Sequence, residues 1–265
     1  MKTVAAALAL VLSLLLAPRA GAAEATVFLE DMTWTELRDA VAAGRTTIIV
    51  PVGGTEQSGP HMALGKHNVR ARVLAGRIAT QLGNALVAPV VAYVPEGDVA
   101  GKTGHIRFAG TISVSPAVFQ GVLEDAARSF RRAGFRDIVL IGDHGGYQSD
   151  LAAVAVKLNR EWAAAPVRVH FVAEYYKAAT EPFATVLRQH GLSEAQIGTH
   201  AGSADTSLML AVDPRLVRAD RLAQPPAAAD GTYGDPRAST AALGQAGVDL
   251  IVAASVNAIR KAAVR

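Results

Sequence analysis

Cysteine is absent from the 265-residue chain. This excludes a disulfide framework, a thiolate metal site and lipid attachment to a cysteine. Also missing is any run of lysine and arginine able to track a phosphate backbone, so no nucleic-acid partner is expected even though 26 Lys and Arg outnumber 23 Asp and Glu. No internal repeat occurs, and the alanine-rich Ala223 to Ala229 is the nearest thing to a low-complexity linker. The glycine loops lack the G-x-G-x-x-G and G-K-[ST] spacings, which weakens a nucleotide-binding reading.

Long hydrophobic runs are scarce except at the start. Lys2 precedes the apolar stretch Val4 to Ala17, in which Ser13 is the one polar residue, and Ala20-Gly21-Ala22 offers a small-x-small cleavage site. Residues 1–22 are therefore expected to be a signal peptide, giving an exported, periplasmic protein. The run is short for a span, so no stable membrane association is expected after cleavage. The missing paired arginines argue against twin-arginine export. Removal of Lys2 and Arg19 lowers the formal charge from +3 to +1. Residues 23–265 then fit a single domain.

What is present alternates between strand and helix. Trp34 to Ala43 reads as a helix with Thr33 as N-cap, and Thr47 to Val52 as a strand buried on both faces. A second helix opens near Asn68 and ends at Gly83. A strand over Leu86 to Tyr93 leads into a long glycine-containing loop, Pro95 to Thr111, of a length that is often functional. Ser115-Pro116 starts a third helix that Gly134 stops. Asp137 to Ile141 is a second buried strand, Leu151 to Trp162 a helix, Val167 to Val172 a strand, and residues 203–212 a helix. The pattern predicts an α/β fold in three layers, a mostly parallel sheet with helices on both faces. Ligand sites in such sheets lie beyond the carboxyl ends of the strands, where Glu56 and His144 stand.

Glu56, His61, His67, His144, His200 and Asp205 all lie in loops or at helix starts close to glycine. Singly, each is more often a turn or cap former than a ligand. Together, two imidazoles and a carboxylate suffice to hold a divalent ion with positions left for water and substrate. His105, His170 and His190 lack such company and are assigned to surface or core.

The segment Pro51 to Gly65, with Gly53-Gly54-Thr55-Glu56-Gln57-Ser58-Gly59-Pro60-His61 at its centre, resembles the N-terminal metal motif of the creatininase family. Further matches follow in order: Arg107-Phe108-Ala109-Gly110-Thr111, Gly142-Asp143-His144-Gly145-Gly146, His200-Ala201-Gly202 with Asp205-Thr206-Ser207, and Tyr233-Gly234-Asp235-Pro236. The resemblance implies a creatininase-like α/β fold, often a homo-oligomer, with Glu56 and His144 as metal ligands. It implies His200 over the substrate as proton donor and Asp205 where the family usually has Glu.

The sequence departs from that pattern at three positions. Ser58 replaces a histidine ligand, His67 an aspartate that bridges two metals, and Gly146 a carboxylate ligand. A neutral imidazole offers one lone pair to one ion, so a bridged pair is not expected at His67. The expected set is Glu56, His67 and His144, with Asp205 as a fourth ligand or water orienter, around one Zn, Fe(II) or Mn ion per subunit. Catalysis is assigned to His200 and Asp205, assisted by Glu56. Ser58, His61, Asp143, Gly145, Tyr175 and Tyr176 are assigned to the second shell or the substrate pocket.

The expected activity is metal-dependent hydrolysis of a C–N bond in a small-molecule amide, lactam or formamide, or a short peptide. Creatininase closes tryptophans over its ring substrate, whereas Trp34 and Trp162 are the only tryptophans here. The competing expectation is a catalytically degenerate periplasmic metal- or ligand-binding protein on the same fold.

Overall fold

The computed structural model describes residues 26–101 and 103–263. The expected signal peptide lies outside these residues. Helices α1 to α10 span Trp34–Ala42, Lys66–Leu82, Pro116–Arg132, Gln148–Glu161, Ala173–Ala179, Glu181–Gln189, Glu194–Ile197, Ser203–Val212, Ala219–Leu222 and Ala241–Ala263. Strands β1 to β4 span Thr47–Val52, Ala85–Val87, Asp137–Gly142 and Arg168–Phe171.

All six residues of β1 are buried. They pair in parallel with β2 on one side and β3 on the other, and β3 pairs in parallel with β4. The order β2-β1-β3-β4 makes a wholly parallel sheet among the described residues. Alternate side chains leave the sheet on opposite faces. Ile49, Val139 and Ile141 meet α2, α5, α8 and α10, while Ile48, Val50, Ile138 and Leu140 meet α1, α3 and α4. Burying each such side chain contributes about 1.5–3 kcal/mol. This is the three-layer α/β architecture expected from the alternation.

Local signals set the element ends. Thr33 caps α1 reciprocally: its N–H donates to Glu36 at 2.7 Å and its hydroxyl accepts from the Glu36 N–H at 3.3 Å. Gly83, at φ +83°, ends α2. The strand expected over Leu86 to Tyr93 is regular only to Val87. Pro89 has no N–H to give the ladder, so one bridge, Val52 to Val91, is all that continues it. Helices α2 and α4 each begin a few residues earlier than expected.

Helices α5, α6, α7, α9 and α10 have no counterpart in the sequence reading. By length and composition α10 could cross a membrane, yet Val248, Ile251, Val252, Val256 and Ile259 are buried in the core against α2, α5 and α8.

Candidate active site

Two loops leave the carboxyl edge of the sheet side by side, one after β1 and one after β3. The Tyr147 hydroxyl ties them together. It donates to the Val52 carbonyl at 2.9 Å and accepts from the backbone N–H groups of Asp143 at 3.1 Å and His144 at 3.0 Å. Asn68, near the start of α2, secures the first loop: it accepts from Gly54 N–H at 2.9 Å and donates to the Thr55 hydroxyl at 3.1 Å. Glu56 is thereby held rigidly and is fully buried.

Four imidazoles and one ammonium surround the Glu56 carboxylate. His67 Nε2 lies 2.8 Å from Oε1, His200 Nδ1 3.8 Å and Lys66 Nζ 3.9 Å. His105 Nδ1 lies 2.9 Å from Oε2 and His144 Nε2 3.9 Å. Burial alone would raise the Glu56 pKa, but His105, His67 and Lys66 outweigh it and hold the carboxyl well below its usual range.

A second carboxylate, Glu96, enters from the Pro95 to Thr111 loop and lies 3.5 Å from His144 Nδ1. Its pKa is pushed up to about 9 by burial and then by the charge of Glu56. Glu96 Oε1 and Glu56 Oε2 are both buried without an aligned hydrogen-bond donor, although His105 Nδ1 stands 2.9 Å from the latter. Two groups of side chains have ligand atoms within 4.8 Å of one another: Glu56 with Glu96 and His144, and Glu56 with His105 and His200. Burial lowers the His144 pKa to about 4, so this ring is a neutral donor at ordinary pH.

His67 and Asp205 are brought near Glu56, but in other company. His67 Nδ1 is 2.6 Å from Asp143 while its Nε2 faces Glu56, so carboxylates engage both nitrogens. Lys66 Nζ donates to Asp205 at 2.6 Å and Arg70 at 2.9 Å, and the Ala201 N–H does so at 3.1 Å. Burial would raise the Asp205 pKa, but Lys66 and Arg70 hold it well below the usual range. Neither residue joins the two donor groups, which differs from the set expected from sequence. The reason for Asp205 is the two cations that α2 supplies, one of them the fully buried Lys66, and for His67 it is the two carboxylates that hold its ring.

The other expected residues divide by what they touch. Asp143 accepts from Arg70 Nε at 2.9 Å and from the Tyr175 hydroxyl at 2.8 Å. Burial opposes its ionisation, and Arg70 and His67 more than compensate. His61 Nε2 meets the Thr206 hydroxyl at 3.0 Å, on the far side of α8's first turn. Ser58 is buried with its hydroxyl unpartnered. Gly145 permits a close approach: a β-carbon there would sit 2.6 Å from the Tyr176 hydroxyl.

His200 Nε2 lies 3.0 Å from the Gln57 backbone carbonyl and 3.1 Å from the Gln57 side-chain nitrogen; with the carbonyl as its partner, the ring hydrogen sits on Nε2 and Nδ1 is bare. Burial, and then Lys66, lower its pKa to about 3. In this state His200 accepts a proton before it can donate one. Beside it Ala201, at φ +55°, is the only non-glycine with positive φ among the described residues, a local strain often found next to functional groups.

A cavity of about 380 Å³ opens onto this cluster, lined by Lys66, Arg70, His144, Tyr176, His200 and Asp205 among others. That size suits a small molecule. Neither tryptophan lines it: Trp34 is 75% exposed on α1, and Trp162 is buried in the opposite layer.

Two residues of the cluster were not singled out in the sequence. They are His105, which the sequence assigns to surface or core, and Glu96, which belongs to no motif, although the length of the glycine loop that carries both points to function.

The family model for creatininase, creatinine amidohydrolase, matches residues 30–259. The chain is 31% identical over 216 residues to the creatinine amidohydrolase of Pseudomonas putida, covering 78% of this chain and 80% of that enzyme. It is 32% identical over 180 residues to the mycofactocin precursor peptide peptidase of Mycolicibacterium smegmatis, covering 66% of this chain and 61% of that one. A crystal structure of creatinine amidohydrolase superposes with a TM-score of 0.75 at 28% identity, over 89% of this chain and 98% of that one. Similar creatininase structures include a manganese form and a zinc–zinc form.

Proposed function

The chain belongs to the creatininase family, and from that premise we propose that it is a metal-dependent hydrolase of a small amide-type C–N bond. The observation that carries this reading is the cluster of buried carboxylates and a neutral imidazole around Glu56, of which His144 and His200 line a cavity of small-molecule size. The donors are hard oxygens and imidazole nitrogens, which fit Zn, Fe(II) or Mn. Glu56 and His144 are the residues that would hold the ion. When bound, such an ion polarises a carbonyl and lowers the pKa of a water toward neutrality.

The chain's own residues move the proton and orient the substrate. Water attacks the carbonyl carbon, and its proton passes to the bare Nδ1 of His200, which faces Glu56. The C–N bond then breaks as His200 returns that proton to the leaving nitrogen. The Gln57 carbonyl fixes the ring tautomer throughout. His67, wedged between Glu56 and Asp143, holds the Glu56 carboxylate in orientation. The Tyr176 hydroxyl lines the cavity and offers a hydrogen bond to a polar group of the substrate.

The absence of tryptophan from the cavity favours a substrate other than creatinine. The Mycolicibacterium relative is named for a peptide, so short peptides belong in the search with lactams and formamides. The test is turnover of such a panel with and without chelator, followed by addition of Zn, Mn or Fe(II). Hydrolysis that the chelator removes and one ion restores is expected. Chelator-insensitive turnover contradicts the proposal, and binding without turnover favours the ligand-binding alternative.

A further inference from the structure

We propose that Glu96 is a direct ligand of the cation, completing a donor set of Glu56, Glu96 and His144. This rests on the reading of the chain as a metal-dependent hydrolase and names the set on which that reading depends. Glu96 is 5% exposed, and no group donates to its Oε1. The neighbouring Glu56 Oε2 is equally buried, and the ring nearest it, His105 with Nδ1 at 2.9 Å, is not aligned to donate to it. Two buried carboxylate oxygens facing one space need a shared proton or a cation there, and a divalent ion in the proton's place would satisfy both. The nearest fixed cations do not supply that charge to Glu96: Lys66 is spent on Asp205 at 2.6 Å, and Arg70 on Asp143 and Asp205.

The backbone of Glu96 is built to aim that side chain inward. Its N–H donates to the Ser113 hydroxyl at 3.0 Å, and the same hydroxyl donates onward to the Gly97 carbonyl at 2.6 Å. Glycines 97 and 104, both at positive φ, fold the loop back on itself so closely that a β-carbon on Gly104 would stand 2.9 Å from the Glu96 carbonyl. Opposite, Gly54 leaves room for the carboxylate, since a β-carbon there would lie 2.8 Å from Glu96 Oε1. His144 completes the group, with Nδ1 3.5 Å from Glu96 Oε1 and Nε2 3.9 Å from Glu56 Oε2.

His67 is the competing third ligand. With Nδ1 2.6 Å from Asp143 and Nε2 2.8 Å from Glu56, it is wedged between two carboxylates and stands outside both groups of side chains whose ligand atoms converge on one space. Its place is that of a positioning residue for Glu56.

The test compares the full chain with Glu96→Gln and Glu96→Asp. Each protein is stripped of metal, checked by circular dichroism for an intact fold, and titrated calorimetrically with Zn²⁺ and Mn²⁺. The cobalt(II) d–d spectrum reports the donor set directly. Glutamine has the shape of a protonated glutamic acid, so it separates a ligand from a merely protonated neighbour. The expected result is binding about 100-fold weaker or lost in Glu96→Gln, partial loss in Glu96→Asp, and a shifted cobalt spectrum in both. Wild-type affinity and spectrum in Glu96→Gln would overturn the assignment of Glu96 alone. A wild-type chain that binds no divalent ion would overturn this assignment together with the hydrolase reading.

Discussion

At the scale of single residues, the site is an arrangement of imidazoles around one buried carboxylate, and each ring is distinguished by what its second nitrogen touches. His200 gives one nitrogen to the Gln57 carbonyl and leaves the other bare toward Glu56. Replacing it with Asn is expected to lower kcat by about 10²- to 10⁴-fold, the usual worth of general acid–base catalysis. Metal content should stay intact, since Glu56 and His144 remain. Steady-state kinetics with elemental analysis of the same preparation checks this, and a variant that loses its metal would place His200 among the ligands. Glu56 and His144 were legible in the sequence because each follows a buried strand and sits among glycines. The company of His67 and Asp205 was not legible. Sequence spacing shows that α2 begins beside the site, but not that Lys66 and Arg70 turn inward to occupy those carboxylates. Glu96 and His105 were hidden for a related reason, because a 17-residue loop with only a short 3-10 turn, Gly104–Arg107, among its described residues carries no period from which side-chain direction can be read.

At the scale of elements, the parallel sheet brings the loops after β1 and β3 together, and the helices behind it hold α2 and α8 against the site. The approach of α10 to α8 is the tightest of these contacts. A β-carbon at Gly244 would stand 1.7 Å from the Ser207 carbonyl oxygen, which is backbone and cannot swing away. Gly244→Ala is therefore expected to destabilise the fold by about 1–3 kcal/mol, as overpacking does. At about 2–4 °C per kcal/mol for a domain of this size, thermal denaturation should show it clearly. An unchanged Tm would refute the close packing of these helices. Thr33→Ala tests a gentler feature: loss of the reciprocal cap should remove about 1 kcal/mol. The capped and glycine-ended helices were readable from sequence because their stop signals are local. Helix α10 was not, because an apolar helix buried in the core reads almost continuously hydrophobic, and its boundaries depend on tertiary packing.

At the scale of the whole molecule, charges buried between α2, α8 and the β3 loop couple stability to pH. Asp205 is held well below its usual pKa by Lys66 and Arg70. A depressed folded-state pKa means that the unfolded chain takes up protons first. The stabilisation is then fully present above the unfolded value of about 3.9 and is lost as pH falls toward the folded value. Asp205→Asn should lower Tm most above about pH 5, and the gap to wild type should narrow as pH falls below about 4. A gap independent of pH would show that Asp205 contributes packing rather than charge. The α/β class and the direction of the sheet followed from the strand–helix alternation, while this buried network joins residues far apart in the chain and could be seen only once it was folded.

The central claim is that Glu56 and His144 hold a catalytic divalent cation. Elemental analysis of the chain purified without added metal or chelator, beside His144→Ala prepared identically, tests it most directly. Close to one equivalent of Zn, Mn or Fe is expected in the wild type, and a near-complete loss in the variant. A full equivalent retained by His144→Ala, or none in an active wild type, would contradict it.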